Sequence, residues 1–535
     1  MLNGRVTRAP GSGATEVPAR PRPDLRNEVE LKLLVPSGGL ERLREAPIIT
    51  RHARSAGTTR RLEAVYYDTP ERTLFSHGLS LRVRRSGRRF TQTLKRAPAN
   101  GQPFARGEWE VPTGSLAPDF SAMPMAEIGA PFDTLAAGEL RPVFTTKVRR
   151  RTQHLDLLGA VIEVAFDEGC IEAGEHREPL NEIELEIKSG EARVLYDLGI
   201  ELLDAAPLRI GTQSKSDRGY GLAFGLAPKS TKAVSPSITA EYTLDDTIGV
   251  LLGTCQHHLL ANQIVAEGGR DPEGVHQMRV ALRRFRTACI LLRRELGSPT
   301  LEGFAAEAKW LAGLLGGARD WDVFITETVS APAEALQLDI ADFEGLRQAA
   351  EPHRMAAYAD LREALASPRY NRFQLSLRHW IESRGWRNEL DGQSLPLLLL
   401  PAPEFAARVM TRLYRKVLHQ GAHFRHLQPE ARHRVRISLK KLRYAAEFFQ
   451  GLHGGRSNAK DYLACIADLQ DALGHDHDAI TTRPFLLTLA ADPVSPDVQR
   501  AIGAVMGWQA CDRIAVGSTL RKHWRQFKSM PVFWS

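Results

Sequence analysis

Apolar and polar residues alternate over Glu28-Val29-Glu30-Leu31-Lys32. On an extended strand this places two carboxylates and an ammonium on one face, with Val29 and Leu31 on the other. The same period returns in five later stretches. Leu81-Arg82-Val83-Arg84 sets two guanidinium groups side by side, and Thr91–Lys95 aligns Thr93 with Lys95. Arg106, Glu108 and Glu110 share a face, as do Glu163, Ala165 and Asp167. Glu182-Ile183-Glu184-Leu185-Glu186 lines up three carboxylates ahead of Lys188. Turn signals at Phe75–Leu79 and Arg85–Arg88 separate short strands, and the period-two text runs from Asn27 to about Leu226. From Glu241 the periodicity becomes helical, with long Leu/Ala/Arg-rich segments. Residues 1–25, rich in Arg, Pro, Gly and Ala, read as a flexible tail, and residues 227–240 as a linker. The expected architecture is a multidomain α+β chain, with a β-rich domain at 26–226 and an all-α domain at 241–528.

Three adjacent carboxylates on one strand repel each other unless cations or solvent screen them. An ordinary sheet with its charged face in water is one solution. A closed barrel is the other, with the charged residues lining a lumen and Val29, Leu31, Leu81, Val83, Leu94, Ile183 and Leu185 facing outward. For a single strand the first reading is the simpler one. The segregation of acids and bases over six strands favours the second. Such a lumen suits a polyanion with bridging divalent cations, because carboxylates hold Mg²⁺ or Mn²⁺ while Arg and Lys hold phosphate oxygens.

Composition narrows the classes further. Lys plus Arg number 71 against 63 Asp plus Glu, a formal charge of +8, which suits an anionic partner without naming one. The basic stretches lack regularly interleaved aromatics, which argues against nucleic acid. Five scattered cysteines contain no CxxC pair, as in a reducing compartment. The longest apolar run, Leu395–Leu400, is far too short to cross a membrane, and the N-terminus lacks the apolar core of a signal peptide. A cytoplasmic protein with no membrane partner is expected.

The strand motifs have a family resemblance. Glu28–Lys32, Tyr66-Tyr67-Asp68-Thr69, Leu81–Arg84, Thr93-Leu94-Lys95, Glu182–Glu186 and Gln213-Ser214-Lys215-Ser216 resemble, in order, the motifs of the CYTH domain, or triphosphate tunnel metalloenzymes. The resemblance covers about residues 26–226. It implies an eight-stranded antiparallel tunnel barrel that cleaves triphosphate compounds with Mg²⁺ or Mn²⁺. It also implies that Glu28, Glu30, Glu182, Glu184 and Glu186 hold metal, with Asp167 and Glu108 at further acidic positions. Lys32, Arg82, Arg84, Lys95, one arginine of Arg149–Arg151 and Lys215 are implied to bind phosphates, and Arg150 is the choice within that run. Glu28, Glu30, Lys32, Arg82, Arg84 and Lys95 form the implied catalytic set.

The helical half repeats itself. His276-Gln-Met-Arg279-Val-Ala-Leu-Arg283-Arg-Phe-Arg286 matches His433-Arg-Val-Arg436-Ile-Ser-Leu-Lys440-Lys-Leu-Arg443. Each copy is followed by a second echo, Leu315–Asp320 and Leu473–Asp478. A histidine and three bases at spacings of three, four and three fall on one helix face. Either local acids such as Asp320, Asp322, Asp476 and Asp478 answer that stripe, or an anionic ligand does. A metal site at His475–Asp478 is disfavoured, since the first copy has Arg319 and Trp321 in place of the histidines. This duplication resembles the CHAD (conserved histidine α-helical) domain over about residues 241–528, with repeats near 241–385 and 400–528. The resemblance implies two four-helix bundles that bind inorganic polyphosphate through His276, Arg279, Arg283, Arg286, His433, Arg436, Lys440 and Arg443. CYTH followed by CHAD is the arrangement of bacterial inorganic triphosphatases, so inorganic triphosphate is the expected substrate. A non-catalytic polyphosphate binder, an adenylyl cyclase and a thiamine triphosphatase are the alternatives.

Overall fold

The structure is a computed structural model describing residues 26–96, 105–122, 135, 137–336, 338, 340–453, 458–491, 493–515 and 517–534. The side chains of Glu28 and of residues 475–481 lie outside the described residues, as does the tail expected at 1–25.

Among the described residues, nine antiparallel strands form one sheet: β1 Arg26–Leu34, β2 Thr58–Asp68, β3 Leu79–Ser86, β4 Arg89–Arg96, β5 Ala105–Thr113, β6 Arg141–Leu157, β7 Ala160–Ala173, β8 His176–Ser189 and β9 Arg209–Ile210. Their order is β5-β4-β3-β2-β6-β7-β8-β1-β9, and β1 also pairs with β5. Eight strands therefore close a cylinder, and the ninth is a two-residue addition along the edge of β1. That edge pairs with β5 over Arg26–Val29 and with β9 at Leu33 and Leu34.

Closure follows from the alternation. Leu31, Leu33, Ile183 and Leu185 are fully buried outside the cylinder, in a cluster with Val194, Leu198 and Leu202 of the helix Arg193–Ala205. Leu81, Val83, Leu94 and Trp109 form a second outer cluster. Each buried leucine contributes roughly 1.5–3 kcal/mol, so a one-residue slip of register would be prohibitive. Long hairpins carry the twist: β6 turns into β7 through Leu158 and Gly159, both at positive φ (49° and 77°), as a two-residue hairpin loop requires. The turn expected at Arg85–Arg88 begins later, because β3 continues through Ser86.

One end of the cylinder is filled by aromatic side chains. Tyr66 stacks on Phe144 at 4.4 Å, and Tyr220 stacks on Phe75 at 4.3 Å. Tyr220 belongs to the helix Lys215–Phe224, which starts in a capping box at Ser214. Its approach to β6 is close enough that a Cβ on Gly219 would sit 2.1 Å from the Phe144 ring.

Between Phe224 and Leu244 there is no helix or strand, yet the segment is docked on the helical half. Thr231 N donates to Asn262 Oδ1 (2.8 Å), Arg284 Nη2 donates to Val234 O (2.7 Å), and Ile238 is buried. Among the described residues, five longer helices (Leu244–Ala261, Pro272–Leu296, Pro299–Val323, Phe343–Ala366, Pro368–Glu382), with the short helices Gln263–Gly268 and Ser330–Leu336 between them, are followed by five more (Ala402–Gln420, Pro429–Phe449, Asn458–Ala491, Pro496–Ala515, Gly517–Ser529). One large core joins both sets, and it extends past Ser529 to the buried Phe533 and Trp534. The helix Pro368–Glu382 docks on Arg193–Ala205 of the barrel domain. Leu375 enters the barrel's outer cluster, and Ile210 N donates to Asn371 Oδ1 at 2.9 Å.

Candidate functional site

The strand register decides which side chains meet. Lys32 lies opposite Glu184, Glu30 opposite Glu186, Asp167 opposite Glu182, and Arg150 opposite Asp167. All of these point into the cylinder. Within the run Arg149–Arg151, Arg150 is the inward one. Its Nε and Nη2 donate to the Asp167 carboxylate at 2.7 and 2.6 Å, and Nη2 also donates to Glu184. Arg149 faces Glu168 outside, and Arg151 reaches the Ala56 carbonyl.

Lys215, at the first position of the capping helix, drops its ammonium among three carboxylates. It donates to Glu184 at 2.7 Å and to Glu182, and lies 2.8 Å from Asp167. Lys32 lies 3.3 Å from Glu184 and 3.5 Å from Glu182, with Glu30 at 3.9 Å. Asp167 and Glu182 are completely buried, whereas Glu184 keeps some exposure.

At Glu184, Asp167, Lys215 and Arg150 burial opposes the charge, and the opposite charges around them outweigh it. Lys215, Arg150 and Lys32 hold the Glu184 carboxyl well below the usual range, and Lys215 and Arg150 lower Asp167. Reciprocally, Asp167 and its neighbours raise Lys215 and Arg150 well above their ordinary values.

Across the lumen, Arg84 Nη2 donates to Glu110 at 3.0 Å, and Lys95 lies 3.4 Å from Glu108. Tyr66, Glu108 and Glu110 outweigh burial and raise Arg82. Arg84 moves the other way, because the Arg82 guanidinium beside it and burial both disfavour its charge. Glu186 pairs with Lys188 at 2.6 Å. One cavity of about 2470 Å³ is lined by Glu30, Lys32, Arg82, Arg84, Lys95, Glu108, Arg150, Glu184, Glu186 and Lys215. Asp167 and Glu182 sit behind that lining, beneath Lys215.

The donor chemistry fits a hard divalent cation. Oxygens of Asp167, Glu182 and Glu184 lie within 4.8 Å of one another, with no sulfur or imidazole among them. Glu182 Oε2 is buried and accepts no hydrogen bond.

The strand reading assigned no structural part to the Tyr66–Thr69 motif. Asp68 is fully buried, accepts from the N–H groups of Thr69, Leu74 and Phe75, and receives the Tyr220 hydroxyl at 2.7 Å. It thereby ties the capping helix, and Lys215 with it, to the end of β2. An acid directly after two tyrosines, before a Thr-Pro turn, was the available signal.

In the helical half, His276, Arg279 and Arg283 are half-buried along one face of Pro272–Leu296, and Arg286 is exposed. His433, Arg436, Lys440 and Arg443 are half-buried along Pro429–Phe449. The two helices meet where Arg283 Nε donates to Tyr444 OH (3.1 Å) and Arg284 Nη1 to Glu447 (3.2 Å). Arg443 is engaged by Glu447 and Gln470.

The second echo has a steric reason. A Cβ on Gly316 would lie 3.0 Å from Arg279 Nη1, and one on Gly474 would lie 3.2 Å from Arg436 Nη2. The glycine in each copy makes room for the matching guanidinium. Of the acids expected to answer the stripe, Asp320 lies 3.7 Å from Arg279. Asp322 is instead held by Arg354 and Tyr358 in the core. Asp476 and Asp478, with the rejected metal candidates His475 and His477, have side chains outside the described residues. None of the eight stripe residues lines the barrel cavity.

The fold and the mixed lumen define a closed antiparallel tunnel joined to a duplicated helical unit. Residues 26–220 match the CYTH domain and residues 251–487 the CHAD domain, so the chain carries a CYTH domain followed by a CHAD domain. It is 32% identical over 201 residues to an inorganic triphosphatase of Haemophilus influenzae, a match covering 36% of this chain and 54% of that protein. The chain thus spans about half the length of that relative. An uncharacterized protein of Mycobacterium tuberculosis is 25% identical over 463 residues, 82% of this chain and 84% of that one. The crystal structure of the CHAD domain from Ricinus communis is 28% identical, with a TM-score of 0.47, covering 56% of this chain and 96% of that chain.

Proposed function

We propose that the barrel hydrolyses inorganic triphosphate to diphosphate and orthophosphate with Mg²⁺ or Mn²⁺, and that the helical half binds inorganic polyphosphate. The observation that carries the first part is the convergence of six cations and a carboxylate set on one cavity. Pure anion binding gains nothing from so many acids; a metal-bound polyanion uses both.

Glu30, Glu184 and Glu186, which face the cavity, would hold the metal together with Glu28, and Glu108 would add an acid on the opposite wall. Asp167 and Glu182, whose oxygens lie within 4.8 Å of those of Glu184, would complete that set from beneath Lys215. When bound, a divalent ion supplies Lewis-acid stabilisation of charge on phosphate oxygens. The chain's own part is electrostatic. Lys32, Arg82, Arg84, Lys95, Arg150 and Lys215 would offset phosphate charge that otherwise repels an attacking water. Arg84, whose charge Arg82 and burial disfavour, would gain from a phosphate placed between the two guanidinium groups.

In the reaction the water oxygen bonds to a terminal phosphorus, the bridging P–O bond breaks and diphosphate leaves. Carboxyls held as low as those of Glu184 and Asp167 are poor proton acceptors, so neither is assigned the base. No described helix is long and apolar enough to cross a membrane. The described cysteines are all unpaired, which agrees with a cytoplasmic setting.

A substrate panel tests the reading: tripolyphosphate, ATP, thiamine triphosphate and long polyphosphate, each with Mg²⁺ and Mn²⁺. Orthophosphate released fastest from tripolyphosphate supports it. Cyclic AMP from ATP would assign a cyclase, preference for thiamine triphosphate the other phosphatase, and no turnover at all a non-catalytic binder.

A further inference from the structure

The barrel cavity does not end at the barrel. Its wall continues through Lys229 in the segment after the capping helix and through His257, Ile264 and Arg270 of the helical half. This junction is held in place from both sides. Gly211 N donates to Lys32 O at 2.8 Å, and the preceding Ile210 donates to Asn371 of the docking helix. Arg209 pairs with Glu267 at 2.5 Å. One peptide thus separates the backbone of lumen-facing Lys32 from the helical half.

The two outer cations are also fixed by their backbones. Thr231, two residues beyond Lys229, donates its N–H to Asn262, and its carbonyl takes hydrogen bonds from His258 and Asn262. Gly269, just before Arg270, sits at φ 65°, and its carbonyl accepts from Arg354 Nη2 at 2.7 Å. Lys229 and Arg270 are both exposed, and among the described residues neither forms an ion pair. Of the acids lining the wall, Glu178 is taken by Arg218 at 2.7 Å and Asp217 by the Ser214 cap, while Glu71 stands beside Arg72 in the chain. Two exposed cations in the wall of this cavity, with no ion pair among the described residues, concentrate anions there and speed their entry.

We propose that Lys229 and Arg270 form an outer anion subsite, which captures the trailing phosphates of a linear phosphate chain before and during its entry into the lumen. This inference rests on the proposed triphosphatase reading. It gives the helical half a part in the barrel's substrate selection distinct from the histidine-led stripe, which lies off this cavity. Phosphate chains longer than three units would feel it most, because more of their charge remains outside the lumen.

The test uses the full chain with Lys229→Glu and Arg270→Glu combined. Arg293→Glu serves as a control on an exposed ion pair with Glu302, away from both sites. Steady-state turnover of tripolyphosphate and its calorimetric affinity are measured at low and high salt. Charge reversal should lower kcat/KM by roughly tenfold at low ionic strength, through KM, and the gap should shrink as salt screens it. The control should match wild type. Unchanged kcat/KM, or a salt-independent loss in kcat alone, would overturn the subsite. If wild type releases no orthophosphate, the catalytic reading falls by itself and calorimetry decides the inference. A tenfold weaker affinity for tripolyphosphate in the double variant supports it, and an equal affinity overturns it.

Discussion

The chain holds two concentrations of basic side chains, and several members of each are shifted in opposite directions by their surroundings. In the barrel, Lys215 and Arg150 are enclosed by carboxylates and hold their protons more tightly than free side chains do. In the helical stripe, burial and neighbouring bases lower His276, Arg279 and His433. Even Asp320 is raised by burial despite lying 3.7 Å from Arg279. The barrel is a dense lattice of paired ions, which the proposed cation and polyanion would engage together. The stripe is a row of bases close enough to disfavour one another's charge, which a bound anion would relieve. The same residue types, set among acids in one place and among one another in the other, thus fit the two proposed roles differently.

That contrast can be broken most severely at Glu184, which touches Lys32, Arg150 and Lys215 together. Glu184→Gln should lower orthophosphate release from tripolyphosphate at least a hundredfold, on the scale of losing one electrostatic stabiliser. A circular-dichroism melt checks that the variant remains folded. Wild-type turnover would show that the lattice is only structural.

At the stripe, Arg279→Ala combined with Arg436→Ala should weaken polyphosphate affinity by about tenfold or more and flatten its salt dependence, as lost charge-assisted contacts do. Filter binding over a salt series reads both effects.

Acidification sharpens the comparison at intermediate size. The folded-state values of His276 and His433 lie below the ordinary imidazole value, so their contribution to stability is present above about pH 6.5. It is lost as pH falls through the folded values. Glu184 and Asp167 are depressed from the carboxylate range, so they hold their contribution to much lower pH. His258, pushed down to about 4 by burial, adds to the histidine trend. The Tm without ligand should therefore fall from pH 7.5 to 5.5. Polyphosphate, which favours the protonated rings of His276 and His433, should reduce that fall and bind more tightly at pH 5.5. Affinity that weakens on acidification would contradict the ligand reading.

The smallest effect is expected at the plug. Tyr220→Phe removes the hydroxyl bonded to buried Asp68 and should cost about 1–3 kcal/mol of stability, read by denaturant unfolding.

Much of this arrangement was legible in the chain. A period of two states which side chains share a face, so the lumen-facing set followed once the strands were found and the cylinder closed. The helical stripe was legible for the same reason at a different period. Pairing across strands was not. Nothing local distinguishes Asp167 and Glu182, buried beneath Lys215, from Glu184 and Glu186, which face the cavity, because that depends on the register of three strands and on where a helix starts. Nor does the run Arg149–Arg151 reveal that Arg150 is the inward member until Asp167 is placed opposite it. The helix Arg193–Ala205 carries its own apolar stripe, Val194, Leu198 and Leu202, but its partner Pro368–Glu382 lies about 170 residues away, beyond any local pattern. The glycines of the second echo showed a repeat without its reason, which is the space each leaves for an arginine.

The central claim is that the barrel's acids serve a metal while the stripe needs none. A single titration tests it: orthophosphate release from tripolyphosphate and retention of long polyphosphate, followed on the same wild-type sample as Mg²⁺ is removed with chelator and restored. Turnover should vanish and return with the metal while polyphosphate retention persists throughout. Turnover that survives chelation, or retention that disappears with the metal, would contradict the account.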